Sequence, residues 1–175
     1  MKTILVALGL GLALALPVTA QNSKTPPSAG TTSPSTAATT PGHVMLNPAQ
    51  IKWGDPPASL RKGARLAVVS GDPGGAGPFT IRLKLPAGYR ISPHWHPTDE
   101  NVTVISGTFS LGMGEKFDQA SMKTLTAGGY ALLPAEMRHF AWTRGGGIVQ
   151  VHGTGPFVLN YVNPSDDPSQ PKSAK

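Results

Sequence analysis

The segment Phe79-Thr80-Ile81-Arg82-Leu83-Lys84-Leu85 alternates apolar and polar side chains without a break. A period of two marks a strand that buries one face, because successive Cβ atoms point to opposite sides of the backbone. Shorter strand-like runs occur at Arg65 to Ser70, Asn101 to Ser106, Thr108 to Met113, Tyr130 to Leu133, His139 to Thr143, Ile148 to His152 and Phe157 to Tyr161. Turn signals separate them: Asp72-Pro73-Gly74-Gly75, Pro86-Ala87-Gly88, Gly128-Gly129 and Gly145-Gly146-Gly147. With 21 glycines and 18 prolines in 175 residues and no apolar pattern of helical period, the expectation is an all-β antiparallel sandwich or barrel. No internal repeat at a period of roughly 20–50 residues points to a solenoid or propeller.

The two ends of the chain read differently. Lys2 precedes an apolar stretch from Ile4 to Leu16, shorter than the roughly 20 residues that span a bilayer. Small residues follow at Val18 and Ala20, so the expectation is a secretory signal peptide over 1–20, cleaved after Ala20, with no stable membrane anchor and a periplasmic or secreted product. From Gln21 to Gly42 nearly every residue is Ser, Thr, Pro, Ala or Gly, which cannot offset its own ordering entropy, so a flexible linker is expected over 21–43. The folded domain is then expected over 44–163. Pro164 to Lys175 has no large apolar residue and is expected to be a disordered tail.

Hydrophobic residues make up 39 % of the chain, enough for one core, and charged residues only 14 %. The formal charge is +6, but Lys and Arg are scattered rather than gathered in a stripe, so no nucleic-acid partner is expected. Cysteine is absent from the sequence, which excludes disulfides, thiolate zinc sites and a thiol nucleophile. Any metal must be held by nitrogen and oxygen. His94 and His96 sit two apart in Ser92-Pro93-His94-Trp95-His96, so in an extended chain both imidazoles face one side and Trp95 the other. Glu100 follows the Pro97-Thr98-Asp99 bend and can return a carboxylate to the same point, with His139 the candidate fourth ligand.

The segment running from Gly88 through His94-x-His96 and Glu100 to Gly107 resembles, position for position, the first motif of the cupin superfamily. By this chain's own residue frequencies such a match arises on the order of once in ten thousand sequences. Gly128, Pro134 and His139 resemble the second motif, with Glu136 standing where the family usually has Gly and Thr143 where it usually has Asn. The resemblance implies a single double-stranded β-helix, a jelly-roll-like barrel, in which His94, His96, Glu100 and His139 hold one divalent transition metal. A set this rich in imidazole suits Fe, Mn, Ni, Cu or Zn rather than Ca or Mg. It further implies a metal-dependent dioxygenase acting on a small chelating substrate, with Glu100 as the catalytic proton carrier. The alternatives are a non-catalytic periplasmic module that binds or senses a metal or small ligand, and a metal-dependent isomerase or lyase. Edge strands left open predict a homodimer.

Other features carry less. His152 closes a strand and is expected either as a packed residue or as a contact in the pocket, and Glu136 either as a solvated loop residue or as an extra acid at the barrel mouth. His43 is expected to be solvated. Trp142, Phe140, Tyr130, Met113 and Phe109 are expected in the core or pocket wall. Gly71 to Gly77 lacks the ending of a phosphate loop and reads as a turn. Asn101-Val102-Thr103 has the glycosylation pattern, but its strand position argues against modification.

Overall fold

The computed structural model of the protein describes residues 42–171. The expected signal peptide over 1–20, most of the linker expected over 21–43, and residues 172–175 lie outside the described residues. Nine strands follow one another: β1 (Arg65–Ser70), β2 (Gly77–Leu85), β3 (Tyr89–Trp95), β4 (Glu100–Met113), β5 (Lys123–Thr126), β6 (Tyr130–Leu133), β7 (His139–Thr143), β8 (Gly147–Gly155) and β9 (Asn160–Tyr161). Among the described residues there is no α-helix, only single 3-10 turns at Pro48–Gln50, Gln119–Ser121 and Pro164–Asp166.

All strand pairs are antiparallel, in the order β1-β2-β8-β4-β7-β3-β9, with β5 and β6 also paired to β4. The long strand β4 belongs to two layers. Its first half, from Glu100 to Val104, pairs with β6 and β8, whereas Thr108 to Met113 pairs with β5 and β7. Gly107 lies between the halves at φ +73°, a conformation that costs an L-residue with a side chain roughly 1–2 kcal/mol. A Cβ there would also meet the Gly146 carbonyl and come within 2.8 Å of the Gly147 Cα, so the turn from one layer to the other requires glycine.

Ile81 and Leu83 on β2, Val102 and Val104 on β4, and Val149 and Val151 on β8 are buried in one cluster with Ile91, Phe109, Leu111 and Ala141 of the other layer. Each such side chain contributes about 1.5–3 kcal/mol relative to exposure. Thr80, Arg82 and Lys84 alternate with the buried members of β2, as the sequence period predicts. Phe109 and Phe140 are buried as expected, but Tyr130 and Met113 stand 53 % and 51 % exposed and are not core residues. At the N-terminal boundary Val44, Met45 and Leu46 are exposed, and the first buried side chain is Ile51.

The predicted runs over β1, β6 and β7 match the strands residue for residue. Asn101 to Ser106 and Thr108 to Met113 join into one strand, because Gly107 bends the ladder without ending it. Two strands escaped the pattern reading. β3 contains Pro93, which reads as a break, but the register with β7 shifts between Ile91 and His94, so Pro93 sits at an irregularity where no ladder N–H is needed. β5 (KTLT) has no buried residue and is held by pairing with β4 rather than by burial. The run predicted over Phe157 to Tyr161 keeps strand geometry only at Asn160–Tyr161.

Over 164–171 the described chain is built of turns. Pro164–Asp166 makes a 3-10 turn whose preceding Asn163 side chain accepts from Ser165 N, and Asp167 Oδ1 accepts from Ser169 N at 2.9 Å and Ser169 Oγ at 2.7 Å. Short polar side chains bonding their own backbone order a stretch that has nothing apolar to bury.

Candidate metal centre

His94 lies near the end of β3 opposite His139, the first residue of β7, and His96 follows one residue after the strand. His94 and His96 are both 3 % exposed, whereas Trp95 between them is half-buried on the other face, with the Arg138 guanidinium 5.5 Å from its ring centroid. Glu100 opens β4. The bend between His96 and Glu100 is tied to the loop before β7, since Glu136 N donates to His96 O at 2.8 Å and Ala135 N to Asp99 Oδ1 at 2.8 Å. The two motifs, distant in sequence, are thereby locked together at one end of the layers.

One potential ligand atom from each of His94, His96 and His139 lies within 4.8 Å of the others, and all three residues are buried. Each ring uses Nδ1 in the same way. His94 Nδ1 donates to Ser92 O at 2.8 Å, His96 Nδ1 to Val158 O at 2.8 Å and His139 Nδ1 to Met137 O at 2.9 Å. A carbonyl oxygen can only accept, so each Nδ1 carries the proton and each neutral imidazole keeps its lone pair on Nε2. Burial pushes His94 well below the ordinary imidazole range, with the other two rings adding repulsion. His96 is also lowered by burial, an effect that the nearby Glu100 carboxylate opposes. Neutral imidazole is the form that binds a cation.

Glu100, the expected further ligand, is not part of that three-histidine cluster but stands beside two of its rings. Its Oε2 lies 3.2 Å from His139 Nε2 and 3.6 Å from His96 Nε2. His139 Nε2 and Glu100 Oε2 face each other so closely that a cation or a proton between them satisfies both. His96 Nε2 is buried with no hydrogen-bond partner, which is costly unless something fills the gap. A cavity of about 20 Å³ bordered by His94, Glu100 and His139 has room for roughly one water-sized body. The residues present therefore fit a single metal ion.

A second cavity, of about 350 Å³, shares His94 and Glu100 with the first and adds His96. Phe157 forms one wall and stacks on His96 with centroids 4.1 Å apart and planes 15° from parallel. Phe157 and Val158 were read from the sequence only as part of a strand, and no local signal marks them, since 62 residues separate Val158 from the histidine it orients. His152 does not border this cavity: it alternates with the buried Val149 and Val151 on β8 and faces the opposite side. His43 is exposed, as expected. Asn101 is committed within the protein, donating to His152 O at 3.2 Å and accepting from Tyr130 Oη at 2.6 Å.

Glu136 is exposed and outside the cavity wall, and among the described residues it is the only non-glycine at positive φ, 63°. A residue with a side chain thus occupies a left-handed backbone position that glycine adopts without strain. Glu136→Gly should relieve roughly 1–2 kcal/mol of strain and lose about 0.4–1 kcal/mol to the freer unfolded chain. The expected net gain is about 0.5–1 kcal/mol in urea unfolding, and a loss of stability would show that the Glu136 side chain contributes contacts that outweigh its strain.

A family model described as "Domain of unknown function (DUF4437)" matches residues 29–160. Among solved structures, the polyketide cyclase RemF from Streptomyces resistomycificus is similar with a TM-score of 0.60 at 16 % identity, covering 73 % of this chain and 91 % of RemF. A protein from Methylibium petroleiphilum PM1, named a candidate acetylacetone dioxygenase, is similar with a TM-score of 0.55 at 22 % identity, covering 73 % of this chain and 85 % of that one. An RmlC-like cupin from Shewanella frigidimarina NCIMB 400 gives 0.52 at 18 % identity, covering 65 % and 92 %. Likeness at these identities speaks to fold alone. No curated protein matches the sequence.

Proposed function

The chain belongs to the DUF4437 family and has the cupin fold, and on that premise we propose that it is a metal-dependent oxidoreductase of the dioxygenase type acting on a small chelating organic molecule. The observation that carries this reading is the donor set. Three imidazoles are held through Nδ1 by backbone carbonyls, and the set stands beside one carboxylate on the wall of a cavity large enough for a small substrate. A divalent transition metal held by His94, His96, His139 and Glu100 would supply Lewis acidity and redox contact with oxygen.

The chain's own residues have separable parts in this reading. The carbonyls of Ser92, Met137 and Val158 fix the tautomer and aim of each ring, so the donor set is assembled before any ligand arrives. Among the described residues Glu100 is the only carboxylate on the cavity wall, and it takes the proton that an enol or catechol loses on binding. Phe157 and the aliphatic walls exclude water, which strengthens the attraction between the bound anion and its partners.

The test is elemental analysis of natively produced protein, followed by oxygen-uptake measurements with flavonols, catechols and β-diketones under air and under nitrogen. Stoichiometric metal, with uptake and product only under air, is the expected result. Conversion that continues without oxygen would replace the dioxygenase with isomerase or lyase chemistry. Tight ligand binding without turnover would make the protein a binding or sensing module.

A further inference from the structure

Resting on that reading of the site, we propose that the natural ligand is uncharged except at its metal-directed head. It is an apolar-bodied molecule with one pair of neighbouring oxygens, and not a dicarboxylate or a sugar acid. The cavity wall argues for this directly. Among the described residues, the only side chain on it with a polar atom beyond His94, His96 and Glu100 is Ser59, and none is Lys or Arg. The remainder is Leu, Ile, Val, Phe, Pro and a glycine, with Leu60, Leu66, Ile81, Leu83 and Leu159 among them.

The backbone and the neighbouring hydroxyls offer little more. Gly74 N donates to Asp72 Oδ1 at 2.8 Å, Phe157 N to Pro73 O at 2.7 Å and Leu60 N to Pro57 O at 2.9 Å. The Val158 carbonyl is taken by His96. Two tyrosines lie close by, but Tyr161 Oη donates to Ser59 O at 2.8 Å and Tyr89 Oη to Arg61 O at 2.6 Å, so both phenols brace the Ser59–Arg61 segment. A second carboxylate on the ligand would enter an aliphatic wall with no cation to meet it, and a ring of sugar hydroxyls would find one serine. A volume of about 350 Å³ gives room for a body on the order of a dozen non-hydrogen atoms.

The test uses two probes with the same chelating head and the same ring, benzoylacetone and its para-carboxy derivative. Both are titrated calorimetrically into metal-loaded protein whose metal content is measured on the same preparation. The expected result is that the neutral probe binds at least about a hundredfold more tightly. A second variant reads the cause. Val158 is 46 % exposed on the cavity wall, and its role toward His96 is through the backbone, so Val158→Lys should fold and place a cation within reach. It should narrow the gap about tenfold or more by improving the charged probe. Equal affinities, tighter binding of the carboxylated probe, or no binding of the neutral one to metal-loaded protein each overturn the ligand class while leaving the metal site standing. Protein that retains no metal overturns the site and this inference together.

Discussion

His96→Ala is expected to reduce bound metal from about one ion per chain to near none after gel filtration, while Trp95→Ala keeps it. The pair separates ligation from packing because the two residues are adjacent in sequence and face opposite sides of the strand. In the proposed site His96 contributes an Nε2 with no other partner, and removing a ligand that is already aimed lowers affinity more than the roughly tenfold to hundredfold loss seen when only a supporting group is removed. Thermal unfolding gives a second readout. A ligand present at a hundred times its dissociation constant adds about 2.7 kcal/mol, so added metal should raise the Tm of the native protein and of Trp95→Ala but leave His96→Ala unmoved. Equal retention by both variants would refute the assignment of His96.

Gly107→Val should lower the Tm on the order of 10–15 °C. Two costs act at one position. The φ of +73° carries roughly 1–2 kcal/mol for a residue with a side chain. The added carbons run into the backbone of Gly146 and Gly147, for which overpacking typically costs about 1–3 kcal/mol. The sum, about 2–5 kcal/mol, is a large part of the stability of a domain this size. Gly145→Val is the control, because a Cβ at Gly145 meets nothing within 4 Å and that residue is exposed. Because Gly107 redirects β4 from one layer to the other, Gly107→Val should lose core packing in both layers, visible as a lower urea midpoint. A midpoint matching that of Gly145→Val would show that the bend tolerates a side chain.

Much of this architecture was legible because its signals are local. Alternation over Phe79 to Leu85 follows from the two-residue period of a strand, and the spacing of His94 and His96 follows from the same period. Positions that depend on a partner strand were not legible. β5 has no buried face to pattern, Pro93 is tolerated only because β7 shifts register against it, and Tyr130 and Met113 are aromatic or apolar yet stand in solvent. Glu136 shows the same limit, since no local pattern reveals that its backbone takes a φ of 63°.

What the amino-acid order determined by itself was the class of fold and the three histidines able to meet, because strand period, turn residues and motif spacing are properties of short stretches. What only the tertiary structure decided was how those side chains are used. The carbonyl of Val158 selects the proton position on His96, Phe157 roofs the same ring, and an aliphatic wall drawn from several strands and loops shapes the space in front of them. Sheet register and chain crossing bring these groups together across 62 residues and more, and no local pattern along the chain encodes that meeting.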